Sequence, residues 1–124
     1  MHIIISNSSS EAIYTQITNQ IKKQIVSEEL KEGALLPSIR KLAKDLQISV
    51  ITTKRAYEEL EKEGLVHSVP GKGFFVAAQN QAFLKEKKIK FIEEKLLEVI
   101  TECHFVGISL DELMDMTKLL YEDQ

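Results

Sequence analysis

The sequence predicts a mainly α fold with one small β-hairpin, and three observations predict it. Ile13, Ile17, Ile21 and Ile25 recur every four residues, two serine-led helical patterns follow in close succession, and the tip Pro70-Gly71-Lys72 parts two short apolar or β-branched runs. The isoleucine spacing, with Tyr14 and Val26 on its flanks, predicts an amphipathic helix over about residues 11–29. Gly33 closes the next connection. Leu36-Pro37-Ser38 then offers an N-cap serine just before Ile39, Leu42, Ala43 and Leu46, a second helix of about two turns. After the turn Gln47-Ile48, Ser49 can cap a third helix running to Glu63, where Gly64 supplies the stop. Residues 65–69 and 73–77 are the strands of a hairpin. Two short helices joined by a tight turn and followed by such a hairpin make a winged helix-turn-helix.

Residues 78–81 are polar and unpatterned, which places a linker there and divides the chain into residues 1–78 and a tail, 79–124. In the tail Ile89, Ile92, Leu96, Val99 and Cys103 alternate steps of three and four, the seam of a packed helix pair, and Phe91, Leu97 and Ile100 widen the apolar face. Two helices of this length cannot bury that stripe alone, so Ile89, Ile92, Leu96 and Val99 are expected to form a homodimer seam. Gly107 breaks the helix. Ser109-Leu110-Asp111-Glu112 is a capping box that starts a last helix, with Leu110, Leu113, Met114, Thr117 and Leu120 expected to face inward.

At 124 residues, 44% hydrophobic and 28% charged, the chain has room for one domain or a small domain with an appendage, and the composition of a soluble globular protein. Met1-His2-Ile3-Ile4-Ile5-Ser6 lacks the basic and apolar regions of a secretory signal, and no apolar run reaches membrane length, so a cytoplasmic protein without a membrane partner is expected. Cys103 is the only cysteine, which leaves neither a disulfide nor a Cys-rich zinc site. Glu102-Cys103-His104, even joined by His2 or His67, lacks the spacing of a metal site, and Met114 and Met116 read as packing. The Gly-rich stretch lacks the phosphate-loop pattern, and no nucleophile has a visible base, so no cofactor and no enzymatic activity are expected.

The net charge of −3 hides an asymmetry. Residues 80–124 carry six Lys+Arg against ten Asp+Glu, whereas residues 37–55 carry five (Arg40, Lys41, Lys44, Lys54, Arg55) against Asp45 alone. The third helix explains what the basic patch can do. A rotation of about 100° per residue groups Thr53, Ala56, Tyr57 and Leu60 in one core-facing sector, and sets Ile51, Lys54 and Arg55 opposite, with Thr52 at the edge. Lys and Arg can reach guanine O6/N7 or phosphates, a Thr hydroxyl can bond either, and an exposed Ile can pack on a thymine methyl, so this is a major-groove surface in residue types. A solvated face with one stray isoleucine is the alternative. Ser38 and Arg40 open the second helix, where outward N–H groups favour a phosphate, and at the hairpin tip Gly71 permits close backbone approach while Lys72 adds charge, as a minor-groove contact needs.

Four stretches then carry a resemblance: Ala12-Ile13-Tyr14-Thr15-Gln16-Ile17, the run from Gly33 through Pro37-Ser38-Ile39-Arg40 to Ala43, the run from Ala56 to Leu65, and Gly71-Lys72-Gly73-Phe74-Phe75-Val76. In this order they resemble the DNA-binding domain of GntR-type bacterial transcription regulators, and the two-helix tail resembles that of the YtrA subfamily. The resemblance implies a homodimer held by the tail, no large effector domain, double-stranded DNA with a two-fold symmetric operator as partner, and repression of its own operon, which in this subfamily often encodes an ABC transporter. It implies DNA contacts at Arg40, Ser49, Thr52 and Lys54, and a wing tip at Gly71. Two positions depart from the pattern: Val50 stands where many members carry an Arg after the capping residue, and Ala12 where a Pro is usual. No small-molecule effector is legible. The competing function class is a protein-interaction module whose winged helix no longer reads DNA.

Overall fold

The computed structural model describes residues 1–123. Its elements are α1 (Ile13–Val26), α2 (Ile39–Leu46), α3 (Val50–Lys62), β1 (Val66–Val69), β2 (Gly73–Val76), α4 (Gln81–Val106) and α5 (Leu110–Glu122). They fall into two compact units, Met1–Lys85 and the residues from Glu86 onward.

In the first unit the isoleucine repeat of α1 turns Ile17, Ile21 and Ile25 onto α3, whose buried stripe is Thr53, Ala56, Tyr57 and Leu60. Leu42 of α2, Leu36, Val66 and Val76 complete the core. α1 is shorter than the expected 11–29: it starts after Ala12, which caps with no side chain, and stops at Ser27 because Glu28 turns to φ +66°. Ser38 and Ser49 each accept from a backbone N–H three residues on, at 3.1 Å, so both serine caps form as expected. Between α2 and α3, Gln47 adopts the left-handed conformation that the tight turn requires.

The hairpin is antiparallel, with Val66 opposite Val76 and Val69 opposite Gly73. Residues 33–36 are more than a connection. The Leu36 amide donates to the Phe74 carbonyl and the Val76 amide to that of Ala34, each at 2.9 Å, so this segment zips onto β2 and ties the wing to the start of α2. At the other end of the unit, Asn80 caps the first turn of α4 through Phe83 N, and Leu84 is buried.

The N-terminal segment is held by a device that periodicity does not reveal. Gln16, Gln20 and Gln24 of α1 pair their amides with both backbone groups of Ser6, Ile4 and His2 in turn, at distances from 2.6 Å (Gln24 Nε2 to His2 O) to 3.4 Å (His2 N to Gln24 Oε1). Four helical residues rise about 6 Å and two strand residues about 6.6 Å, so side chains at every fourth helix position match alternate residues of an extended strand. Ile3 and Ile5 pack against the core below.

In the second unit the capping box of Ser109 and Glu112 forms reciprocally and starts α5. The inward face expected for α5 does not: Leu110, Met114, Thr117 and Leu120 are exposed and Leu113 only half-buried. α4 and α5 make little contact with one another beyond their elbow, where Cys103 is buried and its carbonyl accepts from Ile108 N at 2.9 Å.

Candidate nucleic-acid interface

α3 has one buried side and one open side. Ile51 projects directly away from the Thr53–Ala56–Tyr57–Leu60 sector and is 77% exposed, and Val50 beside it is 50% exposed. Lys54 and Arg55 complete the open face, and Thr52 sits half-buried at its edge. Ser49 spends its hydroxyl within the helix start, accepting from Thr52 N and donating to Thr52 Oγ1 at 2.8 Å, which leaves the Thr52 hydroxyl proton free to donate outward.

The cations divide into engaged and free. Arg55 lies with its guanidinium carbon 3.9 Å from the centre of the Tyr14 ring and donates from Nη2 to the Tyr14 hydroxyl at 3.1 Å. Sequence spacing gave no sign of this pair, which joins α1 to α3 across 41 positions. Lys54 approaches Glu58 at 3.6 Å and Lys41 bonds Asp45 at 3.0 Å, both exposed i,i+4 pairs of little energetic weight. The side chains of Arg40, Lys44 and Lys72 have no hydrogen bond or ion pair among the described residues. Ser38 Oγ accepts from Lys41 N, which leaves its hydroxyl proton and the Arg40 guanidinium as free donors at the start of α2.

The wing is stapled to α3 by Glu61, whose Oε2 accepts from both Ser68 N and Ser68 Oγ at 2.8 Å. The Ser68 backbone bond first, then its hydroxyl and the nearby His67, hold the Glu61 carboxyl below the usual carboxylate range. At the tip the Val69 carbonyl accepts from Lys72 N at 2.9 Å, and Gly71 sits at φ +77°, the third residue of the turn Val69–Lys72, directly after Pro70. A Cβ at Gly71 would meet open space, so the tip is free for approach from outside.

In the second unit Ile89, Ile92, Leu96 and Val99 are 39 to 64% exposed along α4. An open groove of about 550 Å³ between Glu98, Val99, Glu102, Cys103, Val106 and Ile108 continues that face. Among the described residues no group of His, Cys, Asp and Glu could hold a metal ion, and no helix is long and apolar enough to cross a membrane.

A three-helix core, a serine-capped helix with an open apolar and cationic face, and a stapled hairpin define a DNA-binding winged helix. The profile of the bacterial regulatory proteins of the gntR family matches residues 13–76. The HTH-type transcriptional repressor YtrA of Bacillus subtilis is 34% identical over 98% of this chain and 93% of its own length. A transcriptional regulator from Oenococcus oeni superposes with a TM-score of 0.68 at 26% identity, over 94% of this chain and 97% of that one. The DNA-binding domain of AraR, crystallised in complex with operator ORX1, superposes with a TM-score of 0.55 at 25% identity, over 62% of this chain and 96% of that one. The chain belongs to the GntR family of bacterial regulatory proteins. It is a DNA-binding transcription regulator and not an enzyme.

Proposed function

We propose that the protein is a homodimeric repressor that works in the cytoplasm on a two-fold symmetric operator near its own promoter. The observation that carries this reading is the open face of α3, with Ile51 77% exposed opposite a fully packed sector. In this reading α3 enters the major groove, Ile51, Thr52, Lys54 and Arg55 face DNA there, Arg40 and the Ser38-capped start of α2 meet a phosphate, and Gly71 and Lys72 touch the adjacent minor groove. Support comes from the operator complex of the AraR domain and from the repressor YtrA, similar along nearly its whole length. The resemblance to the YtrA subfamily points to an ABC-transporter operon as the target.

Residues 79–124 supply the second half-site by pairing two protomers. The exposed seam Ile89, Ile92, Leu96 and Val99, continued by the apolar groove at Val99 and Val106, is a face that a second copy covers. One small winged helix binds weakly, and linking two raises the effective concentration at the second half-site into the millimolar range. Removing residues 86–124 tests this, because the cut spares Leu84 in the first unit. The full chain should sediment as a dimer at micromolar concentration and be retained on double-stranded DNA in a salt-sensitive way, and the shortened chain as a monomer with weaker retention. A shortened chain that still dimerises excludes the tail as interface. A full chain not retained on duplex DNA is a protein-interaction module instead.

A further inference from the structure

The open face of α3 combines two kinds of side chain, and the structure separates what each can do. Around the helix the order is Val50, Lys54, Ile51, Arg55, at roughly 40 to 60° steps. Val50 and Ile51 are stiff at χ1, exposed, and occupy the first turn, the part of a recognition helix that lies deepest in the groove. The guanidinium that could recognise guanine with two parallel bonds is Arg55, and it is parked on Tyr14 by ring stacking and a 3.1 Å hydrogen bond. Swinging it to a base edge forfeits both. Lys54 is released easily from its 3.6 Å pair with Glu58, but an ammonium is a point charge without the planar fork.

We infer that Val50 and Ile51 are the specificity-determining residues and that they read the 5-methyl groups of neighbouring thymines, while Arg55, fixed by Tyr14, serves phosphate contact alone. The inference rests on the proposed binding of operator DNA by α3. A methyl is the one apolar feature in the major groove, and cytosine lacks it, so an apolar pair at the first turn selects T·A over C·G through contact area and not through hydrogen bonds. The half-site then contains one or two adjacent thymines where α3 begins, and guanine is not the anchoring base.

The experiment selects a duplex from a random pool with the full-length wild-type protein, then replaces each thymine singly by deoxyuridine, which removes the methyl and keeps the base pair. The expected result is a three- to fivefold loss of affinity at one or two neighbouring thymines and no change elsewhere. That penalty should vanish in Val50→Ala or Ile51→Ala, and persist in Arg55→Ala, which should weaken all duplexes alike. Deoxyuridine without effect at every thymine overturns the inference, as does a penalty that survives both alanine variants. A guanine whose replacement by 7-deazaguanine costs tenfold in wild type and nothing in Arg55→Ala also overturns it. Wild type that selects no sequence at all overturns the operator-binding reading as well, which sets that failure apart from the others.

Discussion

Arg40 and Tyr57 show how residues one helix apart serve different ends. The side chain of Arg40 is exposed and has no partner among the described residues, so its removal costs the fold little. Arg40→Ala should melt like wild type, bind operator and random duplex with the same proportional loss, and lower the salt slope by about 0.9, the signature of one phosphate. Titrations at several salt concentrations check this. Tyr57 is the opposite case. It is fully buried, meets Phe74 edge-on at 5.1 Å, and donates its hydroxyl to the Pro37 carbonyl at 2.7 Å, which anchors α3 to the start of α2. Burial pushes the phenol well above its usual range, because the charged form is not solvated there. The neutral form is therefore favoured in the folded state. Its contribution is complete below about pH 10, the range of a free tyrosine, and is lost as pH rises beyond it. Tyr57→Phe should lower stability by about 1 kcal/mol at neutral pH and flatten the decline above about pH 10, measured as urea midpoints against pH.

At the scale of elements, the wing is where backbone conformation and contact can be confused. Gly71 at φ +77° lies in a region that most side chains enter at a cost of about 1 to 2 kcal/mol, so a bulky replacement would perturb the tip and the contact together. Asn and Asp tolerate that region, and only Asp carries charge. Gly71→Asn should keep most operator affinity, and Gly71→Asp should lose about tenfold against it at one salt concentration, while both melt alike. Equal affinities would separate the wing tip from DNA. The wing was legible because its signal is local: Pro70-Gly71 forces a turn, and the flanking runs are rich in apolar, aromatic and β-branched residues. The caps at Ser38, Ser49 and Ser109 and the buried sector of α3 were legible for the same reason, since each depends on residues within a turn or two of one another. The glutamine pairing of the N-terminal segment and the Arg55–Tyr14 stack were not, because they join positions far apart and polar spacing alone does not say what it faces. The inward face expected for α5 failed for a related reason. Periodicity identifies an apolar side but not the surface that covers it, and within one protomer too little surface is available to cover Leu110, Met114 and Leu120.

For the molecule as a whole, a net charge of −3 gives no general attraction to DNA, so binding depends on the local excess of cations in residues 37–55, which the proposed dimer would double. That places the burden of sequence discrimination on one exposed helical face. The most direct measurement titrates wild type and Ile51→Ala with the selected operator and with a random duplex of equal length at one salt concentration. Ile51 is 77% exposed and outside the core, so the substitution leaves the fold in place, which a melting curve verifies. Operator affinity should fall about tenfold, or 1.4 kcal/mol, with random-duplex affinity unchanged. An equal loss on both duplexes, or no loss on either, would contradict base reading by α3.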